Sequence, residues 1–252
     1  MKDKVILITG GTSGIGLAAA RLFLARGARV VLAGRSADRG AEAVKQLCQY
    51  APADHMVFFS GDVSRPADCE ALAARAVRHF GRIDVLVNSA GIYLERALED
   101  MEEADFDRLM AVNVKGSYFM AKYALPELKK REGCSIVNVS SDAGLQGNYL
   151  CSAYCASKGA VTLFTKALAL ELAPWNIRVN CICPGDIATP LTEAQLAAAP
   201  SREQALREMS SVYPLGRIGT AEEAASLIVF LASAEAGFVT GAAWSVDGGL
   251  TA

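Results

Sequence analysis

The segment "TGGTSGIG", Thr9 to Gly16, decides the fold, because it links an apolar run to a stretch of helix-forming residues. Gly10 permits a tight turn, Gly14 lets the backbone approach a pyrophosphate, and Gly16 lets a helix pack closely against a strand. The N–H groups that open the helix would then face the phosphates. The segment therefore predicts a dinucleotide-binding loop, and the alternative is a structural turn that binds no ligand.

Outward from this loop, short β-branched runs alternate with segments of helical length. Strands are predicted at 4–9, 28–34, 55–61, 83–91, 134–141, 177–185 and 242–249. Helices are predicted at about 14–26, 37–50, 66–80, 103–131, 152–173 and 220–233. Most strands are apolar at successive positions, as strands covered on both faces are. The pattern predicts an α/β protein with one domain over residues 1–252: a doubly wound (Rossmann) seven-stranded parallel sheet with helices on both faces.

One segment departs from the alternation. Residues 186–216 contain three prolines and an alanine-rich middle, and no strand or helix is predicted there. Long irregular insertions in compact domains commonly serve as binding loops or lids. Residues 186–216 are therefore predicted to form a substrate-binding loop.

Composition limits the possible partners. The 252 residues carry a formal net charge of −2 and are 52% hydrophobic, which favours a packed core and indicates neither nucleic acid nor an anionic membrane as a partner. No apolar run reaches the ~18 residues of a membrane span, and the first is too short for a signal peptide. Seven cysteines, an odd number, are expected to be reduced thiols in a cytoplasmic protein. The two histidines lie far from them in sequence, so no metal site is predicted.

The second strand ends in "VVLAGRSADRG", where the adenosine ribose of a dinucleotide is expected to lie. Gly34 stands where a carboxylate would bind the 2′-hydroxyl of NAD(H), and Arg35 follows it. An arginine can bind a 2′-phosphate through charge-assisted hydrogen bonds. NADP(H) is therefore favoured, with NAD(H) as the alternative, unless Arg35 is a solvated residue at the start of a helix. After the third strand, Asp62 either contacts the adenine edge or caps the next helix.

The sequence "SAYCASKGA" places Tyr154 and Lys158 four residues apart in a predicted helix, where such positions share one face. Ser141 is predicted at the carboxyl end of a strand, the edge at which open α/β sheets bind ligands. Asn113 lies within a predicted helix, where asparagine is mildly unfavourable. A tyrosine–lysine pair alone would indicate an ordinary amphipathic face. Together with Ser141, Asn113 and the glycine loop, it favours a catalytic site.

Seven short motifs occur in the order and spacing of one known family. They are "TGGTSGIG", "NSAG" (88–91), "MAVNVKG" (110–116), the "SS" ending at Ser141, "YCASK" (154–158), "PGDIATP" (184–190) and "SVDGG" (245–249). Through these motifs the chain resembles the short-chain dehydrogenase/reductase family from Lys4 to Gly249. The family is one of NAD(P)-dependent oxidoreductases, so the resemblance implies hydride transfer between a nicotinamide and a carbonyl or secondary alcohol.

The resemblance also implies roles for the four polar residues. Tyr154 would be the general acid/base, Ser141 would orient the substrate oxygen, Lys158 would bind the nicotinamide ribose, and Asn113 would hold a water in a proton relay. An unperturbed tyrosine has a pKa of about 10. The ammonium of Lys158 and the charge of the oxidised nicotinamide are expected to lower that pKa towards the working pH.

The cofactor is expected to contact the glycine loop, the ends of several strands and the "PGDIATP" segment. The expected contact residues are Gly10, Thr12, Ser13, Gly14, Ile15, Gly16, Arg35, Asp62, Val63, Asn88, Ala90, Gly91, Tyr154, Lys158, Pro184, Gly185, Ile187 and Thr189. For Thr189, capping of the following helix is an equal alternative. The "VDGG" segment resembles one that packs between subunits in the family, so a homotetramer is expected.

The substrate pocket is expected to contain Ser141 together with Tyr93, Ala143, Gln146, Tyr149 and Leu191. Leu196, Met209, Val212 and Tyr213 would form an apolar lid, unless they pack against the core. Such a lid favours a hydrophobic or medium-sized free ketone or secondary alcohol over a bare sugar. One alternative is a 3-oxoacyl-(acyl-carrier-protein) reductase, which is less favoured because positions 132 and 175 are not basic. The other is a dinucleotide-binding regulator without catalytic activity.

Overall fold

A computed structural model describes the chain from Met1 to Ala252, and its centre is a parallel sheet whose strands are almost wholly apolar. The strands are β1 (Val5–Thr9), β2 (Arg29–Gly34), β3 (Met56–Ser60), β4 (Val85–Asn88), β5 (Ser135–Val139), β6 (Arg178–Pro184), β7 (Ile187–Ala188), β8 (Gly219–Thr220) and β9 (Ala243–Val246). Seven of them form one sheet in the order β3-β2-β1-β4-β5-β6-β9, and every neighbouring pair is parallel. The prediction of a seven-stranded parallel sheet in a Rossmann-type α/β fold is confirmed.

Helices connect the strands and cover both faces of the sheet. They are α1 (Gly14–Ala25), α2 (Ala37–Leu47), α3 (Pro66–Phe80), α4 (Glu103–Met110), α5 (Gly116–Leu128), α6 (Ser152–Leu172), α7 (Pro190–Ala198), α8 (Arg202–Ser211) and α9 (Ala221–Ala232). Alternate side chains of β1 enter opposite halves of the core, because successive residues of a strand point to opposite faces. Ile6 and Ile8 pack with α1, α2 and α9, whereas Val5 and Leu7 pack with α3, α5 and α6.

Two predictions of local structure were wrong. The helix expected over 103–131 is interrupted by a π-helical turn at Ala111–Lys115, which separates α4 from α5. The segment 186–216, expected to lack regular structure, contains β7, α7 and α8. Pro190 occupies the first turn of α7, where its missing N–H has no helical partner to lose. The alanine, glutamate and glutamine residues that follow are good helix formers.

The topology brings the ends of the central strands to one edge of the sheet. The segments after β1, β4, β5 and β6 all begin at the carboxyl edge, since these strands are parallel and adjacent. In open α/β sheets this edge is where ligands bind. No helix has both the length and the apolar character that crossing a membrane requires.

Candidate active site

The glycine loop is closely packed at the carboxyl end of β1. Gly10 has a φ of +64°, and a Cβ built there would lie 2.8 Å from the Ala90 nitrogen. A Cβ at Gly16 would lie 2.4 Å from the carbonyl oxygen of Gly10. Ser13, at the N-cap position of α1, makes no side-chain capping hydrogen bond. The loop thus leaves the first N–H groups of α1 available, as phosphate binding requires.

A cleft of about 270 Å³ runs from this loop to α2. It is lined by Thr12, Ser13, Gly14, Leu17, Arg39, Glu42, Ala43, Gln46 and Pro190. Arg39 was not singled out from the sequence, although it lies four residues after Arg35. Ser36, rather than Arg35, caps α2 by accepting the Arg39 N–H at 3.3 Å. Arg35 is exposed and forms no ion pair in the structure, so its guanidinium remains available.

Asp62, in the segment after β3, was predicted either to contact the adenine or to cap the next helix. Asp62 accepts the Ser64 N–H at 3.0 Å, and α3 begins at Pro66 with Arg65 at its N-cap position. Asp62 therefore does not cap α3, and the adenine contact stays a prediction. Val63 is buried and lies where a Cβ at Gly116 would meet its side chain at 2.9 Å.

Tyr154 and Lys158 lie one turn apart on α6, and their side chains meet. The Lys158 Nζ is 5.7 Å from the centre of the Tyr154 ring. Ser141 follows β5, and its hydroxyl lies close enough to Tyr154 to influence the ionisation of the phenol. A Cβ at Gly91 would be 3.4 Å from the Asn113 Oδ1 and 3.5 Å from the Lys158 Nζ. The four predicted polar residues are thus gathered at the carboxyl edge of β4 and β5.

Asn113 lies in the π-helical turn, a distortion that is frequent at functional sites. It is 1% exposed, accepts the Ile92 N–H at 2.9 Å and donates to the Ile92 carbonyl at 3.0 Å. Its amide also donates to the Ser157 hydroxyl at 3.1 Å, and Ser157 donates to the Tyr154 carbonyl at 2.8 Å. Asn113 therefore ties the segment after β4 to the helix that carries Tyr154. Ser157 was missed in the sequence, although it lies three residues after Tyr154.

The pKa of Tyr154 is shifted in the opposite direction from the one expected. Burial raises the pKa of Tyr154 well above its usual value of 10, the charges of Asp142 and Asp186 raise it further, and the Ser141 hydroxyl lowers it. Burial also lowers the pKa of Lys158 from 10.5 to about 8. The predicted lowering of the tyrosine pKa by Lys158 is thus not seen in the protein alone. Tyr154 is held in its protonated form.

Carboxylates and aromatic rings form the walls around Tyr154. The ring of Tyr93 meets that of Tyr154 edge to face at 4.9 Å between centroids, and its hydroxyl donates to Glu95 at 2.9 Å. Tyr213 donates to Asp186 at 2.8 Å. Burial raises the pKa of Asp186, with further contributions from Asp142 and Glu95. Three acidic side chains, Glu95, Asp142 and Asp186, therefore influence the region beside Tyr154. The predicted substrate pocket is more polar than the sequence suggested.

The other residues predicted to line the substrate pocket differ in how far their side chains are exposed to solvent. Ala143 is buried, whereas Gln146 is exposed, Tyr149 is 88% exposed and Leu191 is 49% exposed. Within the predicted lid, Leu196 and Tyr213 are buried and Val212 is exposed. Leu196 and Tyr213 are therefore not exposed as lid residues, and Tyr213 is tied to Asp186 by two hydrogen bonds.

The "PGDIATP" segment returns over the glycine loop. Thr189 holds the N-cap position of α7 but makes no side-chain capping bond, and its methyl group would lie 3.2 Å from a Cβ at Gly14. Its hydroxyl is thus available beside the loop, and Ile187 is buried below it. The Asn88 amide donates to Asn138 of β5 at 2.9 Å, and its contact with the cofactor stays a prediction. No group of three or more His, Cys, Asp or Glu side chains is arranged to hold a metal ion.

Comparison with known proteins finds relatives over nearly the whole chain. A family model described as enoyl-(acyl carrier protein) reductase matches residues 10–251. An uncharacterised oxidoreductase of Thermotoga maritima is 43% identical over 251 residues, which cover 100% of this chain and 98% of that protein. L-Fucose dehydrogenase of Bos taurus is 40% identical over 98% of this chain and 88% of its own length. A 3-oxoacyl-(acyl-carrier-protein) reductase of Thermotoga maritima is 41% identical over 99% of this chain and 98% of its own.

Solved structures are similar over nearly the whole chain. Levodione reductase superposes with a TM-score of 0.94 at 32% identity, covering 98% of this chain and 97% of its own. A protein named ElxO, solved with NADP bound, superposes with a TM-score of 0.90 at 35% identity, covering 99% of both chains.

Proposed function

The chain belongs to the short-chain dehydrogenase/reductase family and is an oxidoreductase, and on that premise we propose that it transfers a hydride between a nicotinamide and a carbonyl or secondary alcohol. We propose Tyr154 as the general acid/base. The observation that carries the proposal is the meeting of the Tyr154 phenol with Ser141 and Lys158 at the sheet edge beside the glycine loop.

The residues present fit an NAD(P)(H) cofactor. The positive φ of Gly10 and the close approach of Gly16 leave room for backbone N–H groups, not side chains, to face a pyrophosphate. The Thr189 hydroxyl and the Ser13 side chain would add donors at that point. Arg35 and Arg39 would bind a 2′-phosphate, which supports NADP(H) over NAD(H). When bound, the nicotinamide would supply a hydride to the carbonyl carbon or accept one from the alcohol carbon.

The chain's own residues would handle the proton. In reduction, the Tyr154 phenol gives its proton to the carbonyl oxygen, and in oxidation the tyrosinate takes the proton from the substrate hydroxyl. Lys158 would bind the nicotinamide ribose and, as an ammonium beside the ring, favour the tyrosinate. The raised pKa of Tyr154 means that the phenol, the form that can donate a proton, is the form present in the protein alone. Asn113 would support the water that replenishes the proton. Its side chain is already held in place by hydrogen bonds to Ile92, after β4, and to Ser157 of α6.

We propose an uncharged carbonyl compound or secondary alcohol as the substrate. Glu95, Asp142 and Asp186 influence the region around Tyr154, and an anionic substrate would be repelled there. Carboxylates also accept hydrogen bonds from hydroxyl groups, so hydroxylated substrates belong in the test panel beside hydrophobic ketones. The similarity to L-fucose dehydrogenase adds a sugar lactol to that panel.

A carrier-bound 3-oxoacyl substrate is the second candidate, favoured by the similarity to a 3-oxoacyl-(acyl-carrier-protein) reductase. Against it, the charged side chains that influence the region around Tyr154 are acidic, whereas an acidic carrier would need basic partners. The non-catalytic alternative has less support, because Asn113, Ser141, Tyr154 and Lys158 are all present.

We propose a homotetramer with a cytoplasmic location. Tyr118 of α5 and Leu163 and Leu170 of α6 are exposed by 52%, 64% and 81%, so one helical face is unusually apolar. On another side, Trp244 is exposed on β9, the open edge of the sheet. Two separate apolar faces suit two kinds of twofold contact, as a tetramer with dihedral symmetry has. Light scattering should give four times the chain mass, and Leu170→Asp should reduce it.

The enzymatic proposal is tested by following the absorbance of the reduced nicotinamide. Purified protein is assayed with NADPH and NADH against neutral ketones, sugars, anionic 2-oxo acids and a carrier-bound 3-oxoacyl thioester. We expect turnover of neutral free substrates with NADPH, and a loss of more than tenfold in kcat/KM for Tyr154→Phe, which corresponds to more than about 1.4 kcal/mol. Full activity of Tyr154→Phe would exclude the proposed proton donor. Turnover of the carrier-bound substrate alone would favour the second candidate.

A further inference from the structure

Asp142 follows Ser141 directly and is buried, with 7% of its surface exposed. Its two carboxylate oxygens have different partners. Oδ1 accepts the Ser141 hydroxyl proton at 2.6 Å, and Oδ2 accepts the Asn148 amide at 2.9 Å. Asn148 therefore fixes the carboxylate, and the carboxylate in turn fixes the hydroxyl of Ser141.

This contact matters because a serine hydroxyl has only one proton to donate. A hydrogen bond to a carboxylate is roughly twice as strong as one between neutral groups. The Ser141 oxygen also accepts the Ala143 N–H at 3.2 Å. A proton given to Asp142 cannot also be donated to the Tyr154 oxygen, so the contact with Asp142 competes with the one through which the Ser141 hydroxyl lowers the pKa of Tyr154.

We propose that Asp142 is a positioning residue that holds the Ser141 proton and, through its buried charge, keeps Tyr154 in the proton-donating form, so that it sets the pH range of the reaction. The inference rests on the proposed function, since it assumes that Tyr154 transfers the proton. Asp142 itself touches no reacting atom in this account.

Other groups face Tyr154 as well. Those that act on its pKa are Asp142 in the short helix Asp142–Gly144, Cys151 before α6 and Asp186 after β6. Lys158 and Tyr93 contact the Tyr154 ring, and Glu95 accepts the Tyr93 hydroxyl. After burial and Ser141, Asp142 is the strongest influence on the pKa of Tyr154, ahead of Cys151 and Asp186. Asp142 is also the one acid among them that hydrogen-bonds Ser141.

The direct test is a titration of Tyr154 in the protein without cofactor. Tyrosine labelled at the ring carbon that carries the hydroxyl is followed by NMR, and the Tyr154 signal is identified by its loss in Tyr154→Phe. Asp142→Asn keeps an acceptor oxygen for Ser141 but removes the charge. We expect it to lower the Tyr154 midpoint by about one pH unit or more, as removal of a nearby unit charge should.

Kinetics supplies a second readout. In Asp142→Asn, the acidic limb of the pH–rate profile for alcohol oxidation should move to lower pH. The alkaline limb of the profile for ketone reduction should move in the same direction by the same amount. Asp107→Asn is the matched control: Asp107 is exposed on α4, and the substitution makes the same charge change away from the site. Asn148→Ala removes the amide that holds the Asp142 carboxylate but keeps the charge of Asp142. The Tyr154 titration midpoint in this variant should therefore stay near that of the wild type.

The outcomes distinguish the role of Asp142 from the role of Tyr154. An unchanged Tyr154 midpoint and unchanged limbs in Asp142→Asn, with Tyr154→Phe inactive, would overturn the role of Asp142 and leave the proposed function standing. An equal shift in Asn148→Ala would also overturn it, because the effect would then come from a disturbed loop. Full activity of Tyr154→Phe would instead refute the proposed function itself.

Discussion

Lys158 lies beside Tyr154 but donates its hydrogen bond elsewhere. Its Nζ is 5.7 Å from the centre of the tyrosine ring, and it donates to the Val139 carbonyl at 3.0 Å. The side chain is 6% exposed and no carboxylate forms an ion pair with it. The ammonium is thus held in place by the last residue of β5, in a position where burial opposes its charge.

The first prediction concerns the pH dependence of stability. Burial lowers the pKa of Lys158 to about 8 in the folded protein, whereas the unfolded chain keeps a pKa near 10.5. Between these values the unfolded state binds more protons, so folding becomes more favourable as the pH rises. Below about pH 8 both states are protonated, and the full cost of the buried charge is present.

Lys158→Met removes this dependence. We expect the free energy of unfolding of the wild type to rise relative to that of Lys158→Met as the pH increases from 8 towards 10.5, by up to about 3 kcal/mol over the whole interval. Denaturant unfolding of both proteins at several pH values measures the difference. A difference that stays constant across the interval would contradict the buried-ammonium interpretation.

The second prediction concerns cofactor preference. Arg35 and Arg39 are exposed and form no ion pair, and Arg39 lines the cleft that begins at the glycine loop. Arg35→Asp should reverse the preference from NADP(H) to NAD(H), because a carboxylate repels the 2′-phosphate and accepts a bond from the 2′-hydroxyl. Arg39→Ala should lower the kcat/KM for NADPH by roughly tenfold, the loss of about one charge-assisted hydrogen bond.

Lys45→Asp is the control for Arg35→Asp and Lys45→Ala that for Arg39→Ala, since Lys45 is exposed further along α2 and each control makes the same charge change as its partner. Both should leave the ratio of kcat/KM for NADPH and NADH unchanged. An unaltered ratio in Arg35→Asp would show that Arg35 is a solvated residue at the start of α2.

The third prediction compares two glycines. A Cβ at Gly16 would lie 2.4 Å from the Gly10 carbonyl oxygen, whereas a Cβ at Gly159 would meet nothing within 4 Å. Gly16→Ala should therefore destabilise the protein by about 1–3 kcal/mol through overpacking and weaken NADPH binding. Gly159→Ala should stabilise it by about 1 kcal/mol, because alanine has the higher helix propensity.

Thermal unfolding and the fluorescence of bound NADPH measure the two effects. If Gly16→Ala and Gly159→Ala were equally stable, α1 would pack less closely against the Gly10 carbonyl than the structure indicates. A stable Gly16→Ala variant with unchanged NADPH affinity would remove the argument for the glycine loop as the phosphate site.

The sequence predicts the sheet well because the strands are covered on both faces. The run from Val5 to Ile8 is apolar at every position and β1 is buried throughout, so the strand can be identified without knowing which side faces the core. The π-helical turn around Asn113 leaves no mark on the apolar periodicity of its helix. The segment containing Pro190 was misjudged, because a proline in the first turn of a helix resembles one in a loop.

The site is predictable only in part. Tyr154, Lys158 and Ser141 could be identified because motif spacing reflects their positions on one helix and one strand end. The contacts of Asp142 with Asn148 and of Asn113 with Ser157 depend on tertiary packing, which a single sequence does not encode in any fixed spacing. The raised pKa of Tyr154 was missed for the same reason, since it comes from burial and from acids on separate segments.

The last prediction concerns Asn113 as the link between two segments of the site. Its side chain makes two hydrogen bonds to Ile92 and one to Ser157. Asn113→Ala would leave both backbone groups of Ile92 without these partners, at a cost of about 2–3 kcal/mol in the free energy of unfolding. The segment after β4 also carries Gly91 and Tyr93, so kcat should fall as the segment loses its anchor.

Ser157→Ala provides the second side of a double-mutant cycle. It should cost about 1 kcal/mol, and the double variant should cost less than the sum of the two, because both substitutions remove the same hydrogen bond. Gln49→Ala, an exposed amide next to the end of α2, should change stability by no more than about 0.5 kcal/mol. If Asn113→Ala cost no more than Gln49→Ala, the link between the π-helical turn, Ile92 and α6 would contribute nothing to stability. A strictly additive cycle would likewise show that Asn113 and Ser157 act independently, so that the position of Tyr154 on α6 would not depend on their contact.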